Sequence, residues 1–357
     1  MKRVTSVSAI NDRLSRRQFL QAAGGLGLTA AGIGLLEACG AKPAAPTAVA
    51  DTLETTTIRI PVSDAVPICI APLFVAEDFL KAEGFTNVQY VKTSSPTLNV
   101  DSLASGAGDM SMQFSGPSII YVDAGKAITM LAGIHVGCFE LFGSAGITNI
   151  GDLKGKTLAV SQVGGADYVF MSSILANVGL DPNKDVGWTT VTPAETKQQF
   201  IAGKIDAILA FPPAAQELLA TKVGHVVVNS MMDKPWSQYF CCMATFNRDF
   251  VQTKPVATKR ALRALLKATD ATALHPEQAA KLMVDKGITP RYDYALQAMQ
   301  DIPYNRWRVY NPEDTIRFYA LTLRGVGMVK STPDEIIQQG TDWRFVNELK
   351  TELPAST

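Results

Sequence analysis

The chain offers little that could make or break a covalent bond. Its five cysteines (Cys39, Cys69, Cys138, Cys241 and Cys242) and three histidines show no metal-type spacing. No Ser/His/Asp set stands out by its intervals either. Spacing therefore predicts no catalytic group, no metal and no cofactor. What the chain does offer is a way to hold a small molecule. Gly164 and Gly165 lie between a short apolar run, Thr157–Val160, and a segment where Tyr168, Val169, Met171, Ile174, Leu175 and Val178 recur at helical spacing. Strand, glycine turn and helix in that order point free backbone N–H groups and the positive end of a helix dipole outward. Such a turn seats an anion or a carbonyl-type acceptor, with Gly164, Gly165 and Asp167 as candidate contacts. It is not G-x-G-x-x-G and lacks the Lys-Ser/Thr of a phosphate loop. Taken alone, it equally describes a tight turn with no ligand.

The elements around it alternate. Residues 56–62 read as a strand, 71–83 as a helix with Leu73, Phe74, Ala76, Phe79 and Leu80 on one face, closed by Gly84. Residues 88–91 form the next strand and 97–104 the next helix. Met110, Met112 and Phe114 alternate with Ser111 and Gln113 in a third strand. Ser115-Gly116-Pro117 starts another helix, with Ser115 as N-cap and Pro117 in the first turn. Strands alternating with helices predict a parallel α/β sheet, whose ligands bind outside the carboxyl ends of the strands. Loops 63–69, 94–95 and 114–116 then face one crevice and bring Asp64, Phe114, Ser115 and Gly116 to it. No Lys or Arg lies in them. An anion there would be held by neutral donors and helix ends, and neutral or zwitterionic solutes remain open. Asp64 reads equally as a turn carboxylate.

Residues 128–142 form a long apolar run, read as one strand, that contains His135 and Glu140. His135 is either a crevice partner or a satisfied core histidine. Glu140 would be costly in such a strand unless paired or open to the crevice. Residues 188–191 are a strand, and Thr192-Pro193-Ala194-Glu195 is a capping box for a helix packed by Phe200 and Ile201. After the strand 208–211, Pro212-Pro213 opens a helix and adds Pro212 to the candidates. Residues 226–228 and 241–246 are further strands. In the latter, alternate side chains face opposite ways, so Cys241 and Cys242 read as buried thiols rather than a vicinal disulfide. Trp236 and Tyr239 could stack on a planar ligand or simply pack. Pro255–Leu274 is an amphipathic helix: Leu262, Leu265, Leu266 and Thr269 face inward, while Lys259, Arg260, Arg263 and Lys267 make a solvated face. Asn311 and Thr332 cap two later helices that should pack back on the first half.

With 357 residues the chain can form two lobes with separate cores, and 47 % apolar against 18 % charged residues is a globular balance. Lys+Arg and Asp+Glu both number 33, which argues against a nucleic-acid partner. Ser15-Arg16-Arg17-Gln18-Phe19-Leu20 ahead of a Gly/Ala-rich apolar run matches a twin-arginine export signal. Two cleavage sites compete: Leu36-Glu37-Ala38-Cys39, with Cys39 taking a lipid, and Ala48-Val49-Ala50. The lipoprotein reading makes residues 1–38 the leader and 39–55 a tether. The leader carries more basic than acidic residues, so the remainder is slightly acidic and any anion selectivity must be local.

Asp152-Leu153-Lys154-Gly155-Lys156-Thr157 ahead of a strand resembles the opening of the second lobe in type II solute-binding proteins of ABC importers. Residues 56–349 resemble the nitrate, sulfonate and taurine branch, which shares its fold with the thiamine-pyrimidine (NMT1-like) proteins. The resemblance implies an α/β, two-lobed type II periplasmic-binding-protein fold, each lobe a mixed sheet flanked by helices. Lobe 1 would comprise residues 56–138 and 244–357, lobe 2 residues 139–243, with two crossover strands as the hinge. It implies a periplasmic, monomeric, non-enzymatic binder, lipid-anchored at most. It would deliver a small anion or polar organic solute such as a sulfonate, taurine or nitrate to a permease and ATPase, which the basic face of Pro255–Leu274 could meet. A pyrimidine or other heterocycle is the alternative, with Phe114, Trp236 and Tyr239 as stacking partners. An enzyme is the third reading. Cytosolic relatives making the thiamine pyrimidine use a Cys-rich motif, a histidine and pyridoxal phosphate, and only Cys241-Cys242 resembles that motif. A sensor subunit reporting to a membrane kinase is a fourth.

Overall fold

The computed structural model describes residues 52–64 and 66–353. The leader, Cys39 and the Ala48-Val49-Ala50 site lie outside the described residues. β1 (Thr57–Ser63) pairs in parallel with β2 (Asn87–Thr93), and the helix Ala71–Ala82 joins them. That helix buries Leu73, Phe74, Ala76, Phe79 and Leu80 as the periodicity predicts. Gly84 follows at φ 104°, a left-handed position that favours glycine. β3 (Met110–Phe114) and β4 (Ile128–Val136) flank β10 (Phe240–Asn247), both antiparallel to it. The first half is therefore not one parallel sheet. A strand arriving from far along the chain lies between its third and fourth strands.

The run 128–142 is two strands rather than one. β4 ends at Val136, Gly137 takes φ 44°, and β5 (Glu140–Gly143) joins a different sheet. A Cβ on Gly137 would lie 2.4 Å from the Ser230 carbonyl oxygen, so both the turn and the close approach require glycine. The second sheet has the order β7 (Gly187–Thr190), β6 (Thr157–Val160), β8 (Ala207–Ala210), β5, β9 (His225–Asn229). β6 runs parallel to β7 and β8, while β5 is antiparallel to β8 and β9. The helices Ala166–Asn177, Pro193–Ile201 and Ala214–Thr221 connect it. Phe200 sits in its core, but Ile201 is 63 % exposed, so only one of that expected pair packs.

Pro255–Leu274 is a helix over that span, and its expected stripe is buried. Its basic face is not simply solvated. Arg263 and Lys267 both pair with Glu83, at 2.9 Å each, and Lys259 pairs with Glu348 and Glu352. These pairs staple the helix to the end of Ala71–Ala82 and to the last helix, Arg344–Glu352. The chain returns to the first sheet at its end, where Asp342 N–H donates to the Met130 carbonyl at 3.1 Å. No helix among the described residues is long and apolar enough to cross a membrane.

β4 and β10 are buried at every position, and they pack through Gly133. A Cβ there would lie 2.2 Å from the Phe240 ring. Gly133→Ala should therefore destabilise the protein by about 1–3 kcal/mol through overpacking, read as a lower urea midpoint at unchanged slope. An unchanged midpoint would mean that the ring moves aside freely.

Candidate ligand-binding site

Four strand-end loops converge. The Phe114 ring lies 5.0 Å from Phe211, just past β8, and 5.7 Å from Phe170 on the helix after the glycine turn. Gly116 is pressed against the same helix: a Cβ would lie 3.0 Å from Val169 Cγ1. Ile68 N–H donates to the Pro212 carbonyl at 3.3 Å, bringing in the loop after β1. Phe139 completes the set, 4.6 Å from Phe170 and 6.1 Å from Phe211. Phe139 and Phe170 are buried while Phe114 and Phe211 are partly open, so the rings pack on one another and expose two of their number at the junction. Sequence reasoning placed Phe114 here. It missed Phe139, Phe170 and Phe211, because an aromatic in an apolar run carries no local sign of which face it takes.

The glycine turn forms as expected, with Gly164 at φ 83° and Gly165 at the N-cap of Ala166–Asn177. Its donors, however, are partly taken. The Asp167 carboxylate accepts from the backbone N–H of Ser161 and, at 2.9 Å, from that of Tyr168. A carboxylate in the first turn stabilises the helix by its dipole. It also occupies the place where an anion would sit. Ser115 is not an N-cap. Phe114 holds the N-cap position, and the buried Ser115 hydroxyl donates to the Phe240 carbonyl at 2.9 Å. The demand of β10 for a donor outweighs capping there.

The remaining candidates make other contacts. Asp64 is exposed, and its N–H donates to the Thr93 carbonyl where β1 and β2 end. Trp236 is 3 % exposed, with its indole N–H unpartnered. Tyr239 stacks on Phe318 at 4.1 Å and lines an open 620 Å³ hollow with Tyr310, Asn311, Asp314 and Arg317. Neither residue is among the rings that meet Phe114. Glu140 is 5 % exposed; one oxygen accepts from Asn229 Nδ2 at 2.9 Å, and the other has no partner. Burial and then the nearby Asp301 carboxylate push its pKa up to about 7.

His135 is fully buried among thiols. Its ligating atoms and those of Cys69, Cys138 and Cys242 lie within 4.8 Å of one another. All four described cysteines are free and buried. This group could hold a cation, which chain spacing gave no reason to expect.

The arrangement defines the class: an α/β protein of the periplasmic-binding-protein fold, with loops at strand ends gathered around one junction. The model of the NMT1-like family matches residues 52–284, and the chain belongs to that family. It is 23 % identical over 279 residues to the nitrate/nitrite binding protein NrtA of Nostoc, covering 70 % of this chain and 62 % of that protein. The chain thus spans less than two thirds of that relative's length. The structure is similar to the periplasmic nitrate-binding protein NrtA from Synechocystis, with TM-score 0.70, 16 % identity and coverage of 86 % and 91 % of the two chains. It is also similar to the periplasmic aliphatic sulphonate binding protein SsuA from Escherichia coli, with TM-score 0.63, 17 % identity and coverage of 80 % and 92 %.

Glu140 makes stability depend on pH. Its raised pKa means that its contribution is fully present below the unfolded carboxyl value, about 4.3, and is lost as pH rises through about 7. Glu140→Gln should therefore gain stability relative to the parent between these limits and level off above them, in urea titrations at a series of pH values. A pH-independent difference would show that Glu140 titrates normally.

Proposed function

We propose that this protein is the exported solute-binding component of an ABC importer and that its solute is a planar, uncharged or cationic heterocycle. The convergence of four strand-end loops on the rings of Phe114, Phe139, Phe170 and Phe211 carries this reading. Residues 56–138 with 244–353 form one lobe in this view, and residues 139–243 the other. The stretch from β4 to β5 and β10 cross between them. The bond from Ile68 N–H to the Pro212 carbonyl then spans the lobes, and a solute held between them stabilises closure for a permease to recognise. Twin-arginine export and a lipid on Cys39 complete the proposal.

The names of the similar proteins suggest a second reading, nitrate or a sulfonate. Local charge weighs against it. The loops around the junction contain no Lys or Arg, and Asp167 already accepts two of the backbone donors an anion would need. The partly open rings of Phe114 and Phe211 suit a flat ring, which stacks for about 0.5–1.5 kcal/mol beyond its buried area.

A thermal-shift panel of pyrimidines, nitrate, taurine and alkanesulfonates on the mature protein tests the choice. Heterocycles should raise the melting temperature and the anions should not. Phe114→Ala should weaken the responding heterocycle by roughly two- to tenfold. A shift from nitrate or a sulfonate alone would overturn the heterocycle reading.

A further inference from the structure

The thiol–imidazole group lies where the two fully buried strands meet. β10 pairs Cys242 directly opposite His135 of β4. The register slips between Phe240 and Cys242, so Cys241 is an extra residue in the ladder, a bulge of the kind that re-aims side chains. Cys138 arrives through the Gly137 turn, three residues beyond His135. Cys69 comes from the one-turn helix Ile68–Ile70, and its carbonyl accepts from the Tyr304 hydroxyl at 2.9 Å. None of the four residues is more than 1 % exposed.

His135 shows which way the group points. Its Nδ1 lies 3.1 Å from the Gly137 carbonyl, so the proton sits on Nδ1 and the Nε2 lone pair is free. Nε2 is buried with no hydrogen-bond partner, an omission that destabilises the fold unless something fills it. A histidine that donates one ring N–H to a carbonyl and keeps the other nitrogen bare is arranged as a metal ligand. Three sulfurs and one imidazole nitrogen are a donor set of tetrahedral structural zinc sites. Zn–S distances of about 2.3 Å put the sulfurs of such a site about 3.8 Å apart, so donors within 4.8 Å need draw in by only about 1 Å.

We propose that Cys69, His135, Cys138 and Cys242 bind one Zn²⁺ ion that ties β4, β10 and the Ile68–Ile70 turn together. The three thiols give up their protons to solvent on binding, and no electron is transferred. With no solvent opening at the site, the ion enters as the chain folds. Its role is structural.

The competing fate of these thiols is oxidation, since Cys138 Sγ lies 3.0 Å from Cys241 Sγ. Metal analysis of the full chain, purified without chelator from zinc-supplemented cells, should find one zinc per molecule. Cys241→Ser should keep it, while Cys242→Ser and His135→Ala should lose at least nine tenths of it. The parent refolded with Co²⁺ provides a second readout that does not depend on the folding of those variants. It should show the intense visible bands of tetrahedral cobalt and a near-ultraviolet thiolate charge-transfer band. A metal-free parent that takes up no cobalt would overturn the proposal. So would a Cys138–Cys241 disulfide in the native protein, found by mass spectrometry, or copper in place of zinc.

Discussion

Every residue of β4 and of β10 is withdrawn from water. That constraint organises the rest of the molecule, because each polar group on the two strands needs a partner inside the protein. Most find one. Phe240 N–H donates to the Thr315 hydroxyl and its carbonyl accepts from Ser115. Asn247 donates to the Leu103 carbonyl and accepts from Phe250 N–H, capping the helix Arg248–Thr253. The helices Ser115–Asp123 and Pro312–Gly325 thus meet β10 through hydroxyl groups, and Arg248–Thr253 is started by its last residue. His135 Nε2 is the exception on β4, which makes it informative.

What could be read in advance followed from local physics. Pro255–Leu274 was legible because proline opens it and its apolar residues keep helical spacing over 20 residues. The capping boxes at Thr192 and Thr332 were legible because Glu lies three residues on, and both form. The break at Gly137 was not, because an unbroken apolar run looks the same whether it serves one sheet or two. The bulge at Cys241 defeated the alternation rule in β10. The four-residue thiol–imidazole group was invisible, since its members are brought together by pairing of distant strands rather than by spacing. The Ser115 and Gly164 turns each follow the carboxyl end of a strand, as expected, but the strands belong to two different sheets, so their meeting was not given by the parallel-sheet rule. The contents of the junction were not legible either.

Electrostatics shows the same division between local and tertiary control. The basic stretch of Pro255–Leu274 looked like a solvent face because amphipathicity records only which side is polar. Whether that side meets water depends on Glu83 and the last helix, which lie far away in sequence. Asp167 is the counterpart at the junction. A first-turn carboxylate looks like ordinary dipole compensation, yet through its bond to Ser161 N–H it closes the turn that would otherwise offer donors to an anion. Glu140, held up near neutral pH by burial and then Asp301, is a buried acid in the second sheet. Burial at Glu140 therefore disfavours negative charge locally, although the chain as a whole is balanced.

The turn from Ile68 to Ile70 links these observations. Its first residue bonds to Pro212 at the aromatic junction, and its second supplies a sulfur to the group around His135. Both contacts hang on three consecutive residues that are all buried, so the turn cannot shift at one end without disturbing the other. If the lobes of the proposed binder open, the Ile68–Pro212 bond is the weaker link, a single neutral hydrogen bond worth about 0.5–1.5 kcal/mol. A metal bound at Cys69 would hold the far end of the turn fixed. Opening would then carry the Pro212 loop away from a stationary Ile68, so the motion would belong to the second sheet and the first would act as the anvil.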